Sequence, residues 1–359
     1  MRFNKETSSK KDETMKAYSI LDALNSSISS PRYESDTPKG KSTFYSFSKG
    51  DFNADGFRGG ASSEHPDFVG TCTNLEKSYL RLTTFPKPED VRPLPILKQS
   101  FEHIKTHYLE NEDHEWANEQ LKSIRQDLAV QSIANNFSLL VYETHARLAL
   151  EHGDMNEFNQ CQSVIKSMTV GIGWSDGNMV SDQDTDQNFG TRNKFKKTSL
   201  LNQNQREADE FAAYRLLYAL VQNDPGGIKK ELVAASTLIP EDQLQKTHRC
   251  QGVSSSRHAV LVTKAVVHSD YHMFFILYQN APRLSGYLMD YLVNRVRIDA
   301  YKRIVASFRP TISVEFFRET LNFADLEETR IFLNKNNAIF VKGKGDVGPP
   351  FWVDCKASR

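Results

Sequence analysis

Residues 152–161, "HGDMNEFNQC", hold His152, Asp154, Glu157 and Cys161, and His145 lies seven positions earlier. Imidazole, carboxylate and thiolate are metal ligands, and an imidazole–carboxylate pair can move protons. A metal site needs three or four such groups converging on one point, and the spacing here offers no obvious set. The stretch also has an echo: "HGDMNEF" (152–158) matches "HSDYHMF" (268–274) as His, small residue, Asp, three residues, Phe. Each copy follows one apolar helical pattern and opens another. Gly153 suits the left-handed conformation that ends a helix. Asp154 and Asp270 suit the N-cap of the next one, and Phe158 and Phe274 fold that helix back on its predecessor. Repetition of the capping pattern reads as a helical-hairpin corner, with His145 a satisfied core histidine.

Other catalytic patterns are absent. The chain has no GxSxG, GxxxxGK[ST] or HExxH, and its four cysteines (Cys72, Cys161, Cys250, Cys355) form no CxxC pair. "GKGDVG" follows a strand pattern but precedes no helix, so it is a poor phosphate loop. No enzyme activity, metal or cofactor is expected. The 45 basic and 45 acidic side chains cancel, which argues against coating nucleic acid by bulk charge. No apolar run approaches the roughly 18–20 residues that span a bilayer. The scattered cysteines and polar N-terminus fit a reducing, intracellular setting with no membrane partner.

The elements that position these residues read as mainly α. Residues 1–66 are rich in Ser, Gly, Pro and Lys and read as a disordered tail, apart from a possible short amphipathic helix over 15–24. Residues 67–169 read as a first helical array. It comprises a helix over 74–83 capped by Asn74, a proline-broken connection, then helices near 95–109, 114–133, 135–153 and 154–168. Residues 170–205 lack periodicity and read as a disordered insertion. Residues 206–308 resume the array, and residues 309–359 change character. Two helices, the second capped by Asp325, lead into "AIFV", "KGKGDVGPP" and "FWVDC". This outline is a winged helix.

Several side chains are candidates for contact. Lys302, Arg303 and Arg309 stand at the entrance to this terminal module, Arg330 and Lys335 on its second helix, and Lys342 and Lys344 at the start of the wing. These are candidate phosphate contacts, salt-sensitive and weakly sequence-specific. Phe351 and Trp352 are adjacent on an alternating strand, so one faces outward, where it suits a docking partner. In "KSIRQDL" (122–128), Arg125 and Asp127 are two positions apart and cannot face each other, so each is expected to serve an ion network with a neighbouring helix.

"VGTCTNLEKSYLRLT", "RPLPILKQSFEHIKTHYL", "EQLKSIRQDLAVQSI", "VYETHARLALEHGDMNEFNQCQ", "EFAAYRLLYAL" and "APRLSGYLMD", in this order, resemble the Sac-three/GANP family of the PCI superfamily. Within it the likeness is to the branch typified by leukocyte receptor cluster member eight and Thp-three. The resemblance implies a TPR-like helical-hairpin array, a right-handed solenoid, ending in a PCI-like winged helix. It further implies a non-catalytic nuclear scaffold in mRNA processing, splicing and export, working as a hetero-oligomer. The implied partners are a second PCI-domain protein, a small acidic Sem-one-like subunit and weakly bound RNA.

Overall fold

The computed structural model describes residues 68–171, 208–239, 253–342 and 352–358. The chain divides into two compact units, one including 68–171 and the other 208–358. In the first, an extended strap (68–93) with one 3-10 turn at Pro88–Asp90 precedes four helices: α1 (Leu94–Asn111), α2 (His114–Val130), α3 (Asn136–Glu151) and α4 (Met155–Gly171). Local chemistry explains the boundaries. Pro95 lies in the first turn of α1, where no N–H partner is lost. Asp113 and Asn135 cap α2 and α3, accepting from the Trp116 and Ser138 amides at 3.1 and 3.0 Å. Glu112 and Ser132 take left-handed φ values of 50° and 53° where α1 and α2 end. Consecutive helices pack on each other around Leu97, Phe101, Ile104, Leu121, Ile124, Leu128 and Phe137. The Phe101 and Phe137 rings meet edge to face at 5.8 Å.

The expected helix over 74–83 does not form; that segment is extended, and no helix begins at Asn74. Leu75, Tyr79 and Leu82 match the helical period, but the backbone is paired elsewhere. The Lys77 amide donates to Gln120 Oε1 (3.0 Å), the Leu80 carbonyl accepts from Gln126 Nε2 (2.7 Å), and the Leu75 carbonyl accepts from Arg92 Nη1 (3.0 Å). Side chains of α2, together with Arg92 at the strap's own end, thus replace the bonds a helix would have made. Arg92 is fully buried. Its Nε donates to Asp127 Oδ2 at 2.6 Å and its Nη2 to Ser123 Oγ at 2.8 Å, while Lys77 Nζ reaches Asp127 Oδ1 at 2.6 Å. At the strap's start, a Cβ on Gly70 would lie 2.0 Å from the Val91 carbonyl oxygen, so only glycine fits.

In the second unit a helix over 208–222 (α5) is followed by α6 (Pro225–Ser236), α7 (Ser255–Val267), α8 (Tyr271–Gln279) and α9 (Ser285–Ser307). Then come β1 (Thr311–Ser313), α10 (Val314–Thr320), α11 (Leu326–Lys335), β2 (Phe340–Val341) and β3 (Trp352–Asp354). The strands form an antiparallel sheet in the order β1–β3–β2, with Ile312 opposite Val353 and Val341 opposite Trp352. The apolar pattern of "ISVEFFRETLNF" (312–323) predicts a helix that starts at Ile312. Instead Ser313 ends β1 and caps α10, its Oγ accepting from the Phe316 amide at 3.1 Å. A strand of three residues has no local signal; its pairing with β3, far along the chain, creates it. Asp325 caps α11 as expected, accepting from the Glu328 amide at 2.7 Å. Arg297 of α9 joins the helices to this terminal module. It donates to the Leu321 and Asn322 carbonyls, pairs with Glu328 at 3.1 Å and lies 3.7 Å above the Phe323 ring.

The expected tail (1–66), most of the insertion (170–205), the helix-like stretch 240–250 and the wing residues Lys344 and Phe351 lie outside the described residues. No helix among the described residues is long and apolar enough to cross a membrane.

Asp127→Asn would leave Arg92 buried and uncompensated, and is expected to cost about 3–5 kcal/mol. Lys77→Met removes a partly exposed partner and is expected to cost about 1 kcal/mol or less. Urea unfolding of both variants checks the difference.

Candidate functional site

The two echoed corners have the same construction. At the first, Gly153 has φ 75° and the Asp154 amide donates to the Ala149 carbonyl at 2.8 Å. Asp154 Oδ1 accepts from the Asn156 and Glu157 amides at 3.1 and 3.0 Å. At the second, Ser269 has φ 54°, the Asp270 amide donates to the Ala265 carbonyl at 2.8 Å, and Asp270 Oδ1 accepts from the Met273 amide at 3.0 Å. Phe158 and Phe274 are both fully buried. In both aspartates Oδ1 is engaged by backbone amides as the cap of the following helix.

Next to the first corner the structure assembles a group that the sequence reading missed. His145 on α3 and Glu157 and Cys161 on α4 are buried, and their ligand atoms lie within 4.8 Å of one another. The available signal was the four-residue spacing of Glu157 and Cys161, which puts both on one helix face. A cation already stands among them: Arg125 Nη1 is 2.6 Å from both Cys161 Sγ and Glu157 Oε1, and Lys122 Nζ is 3.1 Å from Glu157 Oε2. A metal ion here would face two positive side chains, so the donor set fits an internal ion network better than a metal centre. Arg125 and Asp127 do point to different partners, the first to α4 and the second to the strap.

The histidines around this network are held neutral. His145 donates from Nε2 to Asn118 Oδ1 at 2.7 Å, and burial, with Arg125 next in weight, holds its pKa well below the usual value. His114 and His152 stack with centroids 3.6 Å apart. Burial, then the charge of His152, lowers His114 to about 4; burial also lowers His152. Asp154 and Asp113 oppose the shift of His114, and Lys122 reinforces it.

The basic candidates fall into two groups on the second unit. Lys302, Arg303 and Arg309 are exposed at the C-terminal end of α9. Arg303 Nη2 donates to Ser269 Oγ at the second corner (2.8 Å), and Arg309 Nη1 donates to the Val305 carbonyl (3.0 Å). Arg330, Lys335 and Lys342 lie on α11 and just after β2; Arg330 is half-buried, 5.9 Å from the Phe340 ring centroid. Trp352 shares the outer sheet face with Val341, its opposite on β2, while Val353 is fully buried on the inner face. Two surface residues escaped the sequence reading. Lys356 is exposed in the turn after β3, and Phe308 is 44% exposed beside Arg309. Phe308 reads as the last apolar residue of a helix, so only its exposure distinguishes it.

The histidine shifts set a pH dependence. Above about 6.5 both folded and unfolded imidazoles are neutral and stability is complete. Below it the unfolded chain takes up protons that the folded one refuses until near pH 4 at His114. The melting temperature is therefore expected to fall as pH drops from 6.5 towards 4, each unit of depression at the buried His145 contributing about 1.4 kcal/mol. His114→Phe should flatten that slope in a thermal-shift series. Glu157→Gln, which strips Arg125 of its carboxylate, should cost about 3–5 kcal/mol at neutral pH in urea unfolding.

Comparison with known proteins places this arrangement in a lineage. Residues 75–162 and 191–342 match the model of the SAC3/GANP family. The leukocyte receptor cluster member 8 homolog of Xenopus laevis is 36% identical over 290 residues, covering 81% of this chain and 30% of the relative. A THP3 homolog of Schizosaccharomyces pombe is 37% identical over 277 residues, 77% of this chain and 60% of the relative. Protein THP3 of Saccharomyces cerevisiae is 30% identical over 274 residues, 75% of this chain and 50% of the relative. The chain thus spans between 30% and 60% of the length of these relatives. The family model covers more than half of the chain and runs through both units, from the strap that Arg92 anchors to the end of β2; the chain belongs to the SAC3/GANP family.

Proposed function

We propose that the chain is a non-catalytic nuclear scaffold of mRNA biogenesis, acting in transcription-coupled processing, splicing or export. It pairs with a second PCI-domain protein, recruits a small acidic Sem-one-like subunit, and contacts RNA weakly through its terminal module. The observation that carries this reading is the module itself. A β–α–α–β–β order, with a three-stranded antiparallel sheet carried on the end of a long helix, supports the winged-helix reading. On this reading residues 67–169 and 206–308 form the two parts of a TPR-like array, interrupted by the 170–205 insertion, and 309–359 form the winged helix. Family membership and the THP3-named relatives support the mRNA assignment. Val341 and Trp352 on the outer sheet face, with Ile339 exposed beside them, suit docking of a second such module. The exposed cations Lys302, Arg303 and Arg309 suit phosphate contact.

Affinity purification of the full chain from nuclear extract, followed by mass spectrometry, tests the pairing. A PCI-domain protein and a small acidic subunit are expected, and Trp352→Glu is expected to reduce their recovery at least tenfold with little change in melting temperature. Recovery with proteasomal, signalosome or initiation-factor particles would assign the chain to a PCI complex of that other kind. A chain that is stable and monomeric alone and recovers no PCI protein would overturn the pairing.

A further inference from the structure

In the first unit, Glu76 of the strap meets α1 beside two imidazoles. His103 Nε2 lies 2.8 Å from Glu76 Oε1, and both side chains are partly exposed. His107 is four positions on, one helical turn along the same face, with its ring centroid 6.4 Å from that of His103. Trp116 of α2 backs both rings, its centroid 3.9 Å from His107 and 6.0 Å from His103. His107 Nδ1 is buried and has no hydrogen-bond partner among the described residues. Buried ring nitrogens are normally partnered, so this imidazole is left unsatisfied. The surroundings are acidic. Residues 106–121 hold Glu110, Glu112, Asp113, Glu115 and Glu119 and no lysine or arginine, while Lys105 is buried and paired with Glu102 at 2.6 Å. The buried His145, Glu157 and Cys161 are the opposite case, with Arg125 and Lys122 already standing among them.

We propose that His103, His107 and Glu76 bind one divalent transition-metal ion of the zinc type, which fastens the strap to α1. Two imidazoles and one carboxylate are a zinc donor set, and histidines four apart on a helix are the spacing that presents two imidazoles to one ion. Oxygen-seeking magnesium and calcium have no such preference. His103 Nε2 and Glu76 Oε1 already stand about as far apart as two ligands of one ion, whose bonds are roughly 2.0–2.2 Å long. With those bond lengths two imidazoles on one tetrahedral ion have centroids about 5 Å apart, so the His107 ring closes on His103 by about 1 Å. Rotation about its own side-chain bonds supplies that movement, and Nδ1 has no hydrogen bond to give up. The exposed carboxylates of the α1–α2 corner favour a cation at this face.

Calorimetric titration of the full chain with zinc chloride tests this, with magnesium chloride as the control. His107→Phe keeps a ring on Trp116 but has no donor nitrogen, and His103→Gln keeps a hydrogen-bonding group for Glu76. Each is expected to weaken zinc binding by at least about tenfold, and Glu76→Gln by about tenfold. Zinc is expected to raise the melting temperature of the wild type, magnesium to leave it unchanged, and the rise to vanish in His107→Phe. Melting temperatures without added metal separate lost binding from lost fold, and His103→Gln carries the test if His107→Phe is itself destabilised. Absence of zinc binding by the wild type overturns the site. Zinc binding that is unchanged in both histidine variants, or that responds to His103 and not to His107 in a folded variant, also overturns it. An equal rise in melting temperature with magnesium would reduce the effect to general attraction by carboxylates and overturn it as well.

Discussion

Asp127 lies almost without solvent between two cations that reach it from the same extended segment, Arg92 and Lys77. A buried carboxylate is tolerable only when paired and hydrogen-bonded, and an arginine with no exposed surface is equally demanding. Neither charge can be withdrawn without stranding the other, so the strap and α2 are bound into one unit. The strap contributes few buried apolar side chains of its own. Its backbone is satisfied by Gln120, Gln126, Gln131 and Arg92, which makes polar complementarity the force that holds it in place.

α2 serves as a polar axis with an apolar stripe. Leu121, Ile124 and Leu128 face the core, Asp127 faces the strap, and Arg125 with Lys122 faces α4. The "KSIRQDL" segment therefore divides its charges between two neighbours, Lys122 and Arg125 meeting Glu157 on α4 and Asp127 meeting the strap. The same distribution accounts for part of the cluster of histidine, carboxylate and cysteine near residue 152. Their convergence is real, but a guanidinium stands at its centre, and the aspartate that heads the stretch is occupied as a helix cap.

In the second unit Arg297 does for the terminal module what Arg92 does for the strap. It satisfies the free carbonyls at the C-terminal end of α10, pairs with Glu328 at the start of α11, and stacks on Phe323. Tyr301, one turn further along α9, packs against Phe317 and Phe332 and donates to the Ser358 carbonyl. Beyond these anchors Ile304 and Val305 still face the core, while Lys302, Arg303 and Phe308 are exposed.

The helices were legible in the sequence wherever an apolar stripe of period 3.6 coincided with a capping residue. Asp154, Asp270 and Asp325 mark their caps in the sequence as clearly as in the structure, because capping is a bond between near neighbours. The same reasoning failed at 74–83, where Leu75, Tyr79 and Leu82 carry the right spacing but the hydrogen-bond partners are side chains more than forty positions away for Lys77 and Leu80. It failed again at β1, whose partner strand lies about forty residues on. The candidate surface was half legible: its cations could be read from the sequence, but the openness of Phe308 and the pairing of Arg125 could not. What depends on neighbours along the chain was determined by the sequence alone. Burial, ion pairing and strand pairing depend on groups brought together from distant positions, and only the tertiary structure decided those.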